Sequence, residues 1–166
     1  LQSFRGAEQS IGLVPTMGAI HQGHLSLIAQ SNAENGCTVV SVFVNPTQFN
    51  NAADLEKYPR DIEKDLEAIS AIHGDIVVFA PTVSEMYPNN AEAESFEYDG
   101  LEDQMEGAQR PGHFDGVGTI VKKLFQLVKP TKAYFGEKDF QQLQIIRKLV
   151  EKEHMKIEIV GCPIYR

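Results

Sequence analysis

Short apolar runs alternate with segments of helical periodicity along most of the chain. This alternation is typical of parallel strands joined by helical crossovers. It therefore predicts an α/β fold with a doubly wound, Rossmann-like, mostly parallel sheet of five strands. The predicted strands comprise residues 11–14, 38–44, 76–79, 133–135 and 157–160.

Four segments with apolar residues three or four positions apart lie between these runs. The second of them, which follows Pro59, has its apolar residues on one side and charged residues on the other. This spacing predicts an amphipathic helix whose apolar side packs on the sheet. The apolar positions are Ile62, Leu66, Ile69 and Ile72, and the predicted helices comprise residues 23–33, 60–72, 113–128 and a last segment ending near residue 153.

The pattern loosens between residues 81 and 112. This stretch contains Pro88-Asn89-Asn90, many acidic residues and one short strand-like segment at 95–98. We predict an insertion at the periphery of the sheet, with a strand over residues 95–98.

Length and charge narrow the class of protein. A chain of 166 residues is one ordinary domain with room for a sizeable core. Its formal net charge of −8 argues against a nucleic acid as the main partner, because a phosphate backbone attracts the opposite sign. A local anion-binding site is compatible with this net charge.

Cysteine usage and hydropathy predict a cytoplasmic protein. Cys37 and Cys162 are far apart and lie in apolar runs, as reduced core thiols do, and no zinc-ligand spacing is present. The sequence contains neither a membrane-spanning apolar run nor a charged-then-apolar leader. It begins without methionine and stops after a strand-like run, so we expect both ends to be cut.

The stretch over residues 13–28 holds the strongest chemical signal. A buried strand leads through Gly18 to Gly23 and into a helix, with His21 and His24 at the helix start. Unpaired N–H groups and the positive end of the helix dipole meet there, which suits an anion such as phosphate. Each histidine alone would more often be an ordinary loop residue. Two in a His-x-Gly-His unit favour a functional site.

A second loop is expected to face the first. Ligands bind in doubly wound sheets where the winding reverses, which here is between the first and fourth predicted strands. The loop after the fourth strand is Gly136-Glu137-Lys138-Asp139. The crevice would then combine two helix N-termini, two histidines and Lys138, a set that suits a polyphosphate. Asp139 could equally be only the N-cap of its helix.

Five motifs, in chain order, closely resemble the pantoate–β-alanine ligase family, and they extend over essentially the whole chain. His-x-Gly-His alone resembles a wider superfamily of nucleotidylyltransferases and class I aminoacyl-tRNA synthetases. The five together are far more specific. They are PTMGAIHQGH (15–24), FVNPTQF (43–49), YPRD (58–61), RPGHF (110–114) and FGEKDFQQL (135–143).

The resemblance implies an ATP-dependent, AMP-forming ligation of pantoate to β-alanine through pantoyl adenylate. It implies His24 as proton donor, His21 as its companion on the phosphates and Lys138 as the group that neutralises phosphate charge. Mg²⁺ would bridge the phosphate oxygens of ATP, with no protein metal ligands assigned. The ATP-binding residues implied are Met17, Gly18, His21, Gly23, His24, Gly136, Glu137, Lys138, Asp139 and Tyr165.

The acid and the amine are expected to bind beside the nucleotide. By resemblance Gln48 and Gln142 bind pantoate, and Gln48 also meets β-alanine; the alternative for Gln48 is an ordinary loop glutamine. Arg110 and His113 either line the site or belong to a helix N-terminus. The remaining candidates for this pocket are Pro15, Met17 and Phe49 as wall residues, with Asn45 in support.

Members of the family continue past residue 166 into a Ser-Ser-Arg loop and a smaller C-terminal domain. On this basis residues 1–166 are expected to form the N-terminal ATP- and pantoate-binding domain, with the C-terminal domain absent and little ligation by the piece alone. The resemblance also implies a homodimer. Two other functions stay open, another nucleotidylyltransferase of the superfamily and a non-catalytic nucleotide-binding or dimerisation module.

Overall fold

In the computed structural model, which describes residues 10–104, 110 and 112–163, five strands form one parallel sheet. The order is β3-β2-β1-β4-β5, so the winding reverses between β1 and β4 as predicted. This confirms the doubly wound α/β fold and makes the sheet parallel throughout. The strands are β1 (Ile11–Thr16), β2 (Cys37–Val42), β3 (Ile76–Phe79), β4 (Lys132–Gly136) and β5 (Glu158–Cys162), each within two residues of its predicted ends.

The helices occupy both faces of this sheet. Within the described residues, none of them is both long and apolar enough to cross a membrane. Within the described ranges, two short helices and two 3₁₀ turns differ from the prediction, because they are too short to show a period. The helices are α1 (Gln22–Glu34), α2 (Ala52–Lys57), α3 (Ile62–Ser70), α4 (Val83–Met86), α5 (His113–Val128) and α6 (Phe140–Lys152), and the 3₁₀ turns are Pro46–Gln48 and Leu101–Asp103.

Two hydrophobic cores lie on opposite faces of the sheet. Leu13 and Val39 face the core that includes α5 and α6, whereas Val14 and Val40 face the core that includes α1 and α3. Successive strand residues point to opposite faces, so a strand covered on both sides must be apolar at every position. All four of these side chains are fully buried. This is the physical reason for the continuous apolar runs in the sequence.

Helix α1 approaches β1 closely at Gly12. A Cβ atom there would overlap the Ser31 hydroxyl and lie 2.7 Å from the Asn35 side-chain amide. The Ser31 and Thr38 hydroxyls are 2.7 Å apart in a buried hydrogen bond, so Ser31 is not free to move aside. Glycine at position 12 therefore sets how near α1 packs to the sheet.

The predicted strand over residues 95–98 is wrong. No strand forms there, because the N–H groups of Phe96 and Tyr98 bond to side chains and not to the sheet. Glu94 donates to Thr119 Oγ1 at 2.8 Å, and Phe96 donates to Asp115 Oδ1 at 3.0 Å. Thr119 and Asp115 belong to α5, so this helix supplies the acceptors that a neighbouring strand would have supplied.

The predicted buried face of α3 is also partly wrong. Ile69 is buried, but Ile62 and Leu66 are 41% and 43% exposed. Asp65 is buried instead, with 5% of its surface exposed. The helix is rotated from the position that its apolar residues predict because Asp65 has hydrogen-bond partners beneath the β1–α1 loop, described below.

We expect Gly12→Ala to lower the free energy of unfolding by roughly 1–3 kcal/mol, because the added methyl group overpacks the contact between α1 and β1. Urea denaturation of the wild-type and variant chains measures this difference. Gly136→Ala is the matched control, since a Cβ there meets nothing within 4 Å. Equal effects of the two substitutions would contradict the interpretation.

Candidate active site

The β1–α1 loop ends in a helix N-terminus that is capped by two histidines. His21 is the N-cap of α1, and its Nδ1 accepts the Gly23 N–H at 3.0 Å. His24 Nδ1 accepts the His21 N–H at 3.1 Å, so the pair forms a reciprocal capping box. A Cβ on Gly23 would lie 2.8 Å from His21 Cε1. The glycine of His-x-Gly-His therefore makes room for the first imidazole.

These hydrogen bonds define which ring nitrogen carries a proton. Because each Nδ1 accepts a backbone N–H, each neutral ring is protonated at Nε2. Burial, together with the neighbouring His21, lowers the pKa of His24 from 6.5 to about 4, and Asp65 opposes this shift. At neutral pH His24 is thus a neutral ring whose remaining hydrogen-bond group is the Nε2–H donor. The two ring centroids are 4.0 Å apart.

Asp65 of α3 is hydrogen-bonded to the backbone of this loop. Its carboxylate accepts the Ala19 N–H at 3.3 Å and the Ile20 N–H at 2.9 Å. Gly18 and Ala19 adopt positive φ angles of 83° and 52°, and a Cβ on Gly18 would lie 2.9 Å from Asp65 Oδ2. A buried carboxylate requires hydrogen-bond donors, and here the loop amides supply them.

Sequence reasoning missed Asp65. The signal that could have identified it is an acidic residue four positions before the buried Ile69, on the side of α3 that faces the sheet. Such a position calls for a specific partner in the fold.

Beside this loop lies a cavity of about 200 Å³ at the carboxyl ends of β1 and β4. Six predicted residues line it together, from the nucleotide motif and from the acid-binding candidates. Its apolar wall comes mainly from α5 and from two phenylalanines, which the sequence analysis did not select. The predicted lining residues are Pro15, Met17, His24, Asn45, Gln48 and Gln142, and the additional ones are Thr16, Phe43, Tyr58, Val117, Ile120, Val121, Leu124 and Phe135.

Phe49 does not belong to this wall. Its ring packs edge-on against Tyr58, with centroids 5.9 Å apart, and it lines a separate depression with Arg110. The phenylalanines that line the cavity are Phe43 and Phe135.

The 3₁₀ turn that carries Gln48 rests on the first turn of α5. His113 is buried, and its Nδ1 lies 2.9 Å from the Gln48 carbonyl oxygen. Because a carbonyl only accepts, Nδ1 is the donor. A Cβ on Gly116 would lie 2.6 Å from Gln48 Cα, so the backbones are in close contact. His113 thus supports Gln48, and Gly112 is the N-cap of α5.

The second predicted nucleotide loop follows β4, the strand paired with β1. Lys138 and Asp139 are exposed there, and Asp139 is the N-cap of α6. A Cβ on Gly136 would meet nothing within 4 Å, so the strand end borders open space. The loop over residues 136–139 and the histidines both follow the carboxyl ends of strands, at the same side of the sheet. The loop does not line the cavity. Tyr165 lies outside the described residues.

Among the residues that the structure describes, no group of three or more His, Cys, Asp or Glu side chains could hold a metal ion. Asp65, the buried carboxylate nearest the histidines, is already bonded to two loop amides.

Comparisons with known proteins bear on this site. Residues 1–166 match the model of the family described as pantoate-beta-alanine ligase. The chain is 61% identical over 166 residues to the pantothenate synthetase of Flavobacterium psychrophilum and 56% identical to that of Bacteroides thetaiotaomicron. These matches take in 100% of this chain but 59% and 58% of the relatives, so the chain spans about three fifths of their length.

Solved structures give the same result. The crystal structure of pantothenate synthetase from Thermus thermophilus has a TM-score of 0.91 at 46% identity, over 99% of this chain and 60% of that one. A pantoate-beta-alanine ligase from Francisella tularensis, complexed with beta-gamma ATP and beta-alanine, has a TM-score of 0.92 at 41% identity, over 98% and 62%.

Replacing Asp65 by asparagine should lower the pKa of His24 further, because the negative charge that favours the imidazolium is removed. An NMR titration of the His24 ring protons measures this pKa, which we expect at about 4 in the wild-type chain. Glu67→Gln is the control, since it removes the same charge from an exposed position of α3. A His24 pKa near 6.5 in the wild-type chain, or a rise in a variant whose amide signals for residues 18–24 are unmoved, would contradict the assignment.

Proposed function

Because this chain belongs to the pantoate-beta-alanine ligase family, we propose that it forms the ATP- and pantoate-binding domain of an enzyme that joins pantoate to β-alanine. The observation that carries the proposal is the cavity beside the His-x-Gly-His helix start. It combines the His24 imidazole, two amide side chains, Gln48 and Gln142, and an apolar wall.

The first step would activate the acid. A carboxylate oxygen of pantoate bonds to the α-phosphorus of ATP, and the bond from that phosphorus to the pyrophosphate oxygen breaks. Negative charge shifts onto the phosphate oxygens as pyrophosphate leaves. Preorganised donors lower the barrier for such a step, because they need no reorientation as the charge develops. Here the donors would be the Nε2–H groups of His21 and His24 and the ammonium of Lys138.

The second step would use the same cavity. The neutral amine of β-alanine attacks the acyl carbon of pantoyl adenylate, a C–N bond forms, and the bond to the AMP oxygen breaks while the nitrogen loses a proton. Water would compete for the adenylate, so an apolar wall protects the intermediate. The Francisella relative, solved with beta-gamma ATP and beta-alanine, supports a site of this kind that takes both ligands.

The shape and chemistry of the cavity suit pantoate. The paired methyl groups of pantoate would pack against Phe43, Phe135 and the apolar side of α5. Gln48 and Gln142 would bond to the oxygens of pantoate. The amides are uncharged, so they recognise hydroxyl groups without attracting unrelated anions. The loop over residues 136–139 would hold the nucleotide from the opposite side.

Several further features belong to the proposal. Mg²⁺ would be carried by the phosphate oxygens of ATP, where it neutralises charge, as is usual for ATP substrates. Homodimerisation and a cytoplasmic location are proposed from the resemblance and from the composition of the chain.

Calorimetric titration of the chain with ATP and Mg²⁺ tests nucleotide binding. Lys138→Ala should weaken ATP binding roughly tenfold, the value of one charge-assisted hydrogen bond. Lys156→Ala is the matched control, because Lys156 is an exposed lysine just before β5. It therefore lies at the amino ends of the strands, away from the histidines. Absence of binding heat with the wild-type chain would favour a dimerisation module that does not bind nucleotide.

A second titration, in the presence of a non-hydrolysable ATP analogue, tests the acid. Pantoate should bind roughly tenfold more tightly than 2,4-dihydroxybutyrate, which lacks the two methyl groups, because their burial removes apolar surface from water. Equal affinities for the two acids would favour another nucleotidylyltransferase of the superfamily.

A further inference from the structure

The orientation of the Asn45 side chain follows from one neighbour. Asn45 is 1% exposed, and one end of its amide lies 3.0 Å from the Gly116 carbonyl oxygen. A carbonyl oxygen only accepts hydrogen bonds, so this end of the Asn45 amide is the nitrogen, Nδ2. Asparagine thus has one permitted orientation here.

The second hydrogen of Asn45 Nδ2 determines the orientation of Gln48. Asn45 Nδ2 donates this hydrogen to the Gln48 amide. The receiving atom must be an acceptor, so it is Oε1, which lies 3.1 Å from Nδ2. Each amide therefore constrains the next, starting from a backbone carbonyl of α5.

The other end of Asn45 is saturated as well. Its Oδ1 accepts the Tyr87 hydroxyl at 2.7 Å and the Thr47 hydroxyl at 3.1 Å. Two donated and two accepted bonds fill the hydrogen-bonding capacity of the amide, so a flipped Asn45 would place donors against donors. Burial raises the pKa of Tyr87, so its hydroxyl keeps its proton and stays a donor at neutral pH.

We propose that Tyr87 and Asn45 are positioning residues that hold the Gln48 amide with its oxygen turned away from the ligand. Gln48 then presents its nitrogen, a double donor, to the cavity it lines. This wall of the cavity selects an oxygen acceptor, such as the carboxylate or a hydroxyl of a hydroxy acid. The inference rests on the proposed function for the identity of that ligand, but the orientation of Gln48 does not.

Tyr87 enters the site from an unexpected part of the chain. It follows α4, in the stretch predicted to be an insertion at the periphery of the sheet. It is buried, and its ring packs near Phe43, a residue of the cavity wall, with centroids 6.3 Å apart. His113 holds the backbone of Gln48 while Tyr87 and Asn45 hold its side chain.

Side-chain NH₂ signals of the isotopically labelled chain test the orientation without any ligand. We expect slow hydrogen exchange of the Asn45 NH₂ group, which is buried and doubly bonded, and fast exchange of the Gln48 NH₂ group at the cavity. The reverse order of exchange rates would overturn the inference. No substitution is needed, so loss of folding cannot obscure the result.

Pantoate titrations test the consequence for binding. Pantoate should shift the Gln48 NH₂ signals, and Tyr87→Phe should weaken pantoate binding roughly threefold to tenfold while ATP binding is unchanged, as expected for one buried neutral hydrogen bond. Tyr98→Phe is the matched control, because that buried hydroxyl donates to the Phe114 carbonyl outside this network. Asn45→Asp, which removes both donors, should cause the larger loss.

The outcomes separate the two proposals. Equal effects of Tyr87→Phe and Tyr98→Phe on pantoate binding, with ATP bound normally, would overturn the positioning role and leave the proposed function standing. Failure of the wild-type chain to bind pantoate would contradict the proposed function, and the exchange rates in the free chain would still decide the orientation of Gln48.

Discussion

The bond between the Asp65 carboxylate and the amides of Ala19 and Ile20 is the constraint on which the candidate site depends. The β1–α1 loop has to turn sharply at Gly18 and Ala19, where the backbone adopts positive φ angles. Such a turn is stable only when the surrounding structure holds it. By accepting two N–H groups of the loop, the carboxylate fixes where α1 begins, and with it the positions of both histidines.

This arrangement also explains the electrostatics of the site. Burial and the neighbouring His21 disfavour a positive charge on His24, and Asp65 offsets only part of that effect. The His24 imidazole stays neutral at physiological pH and offers an N–H donor at Nε2. No charge has to be buried for this donor to be present. Binding of a polyphosphate would add negative charge nearby and raise the pKa of His24. A rise of this kind would suit the proton-donor role that the resemblance implies for His24.

Much of the fold could be predicted because its determinants are local. Apolar runs covered on both faces predicted the five strands that the structure describes, and the strand–turn–helix pattern with two histidines located the first loop. The α3 face and the segment over residues 95–98 could not be predicted, because long-range hydrogen bonds decided both. Asp65 bonds across 45 positions to Ile20, and Phe96 bonds to Asp115 on α5 instead of a strand. Periodicity reports burial by apolar residues and carries no information about a buried polar partner.

The histidine cap and the Asn45 network differ in how far apart their residues lie in the sequence. The histidine cap joins residues two or three positions apart, so a short motif contains it. The acid side joins Asn45 to Tyr87 and Gly116, which are 42 and 71 positions away. Under the proposed function, substitutions after β3 or in α5 would change which acid fits without altering the His-x-Gly-His loop. The loop motif alone therefore points only to a superfamily.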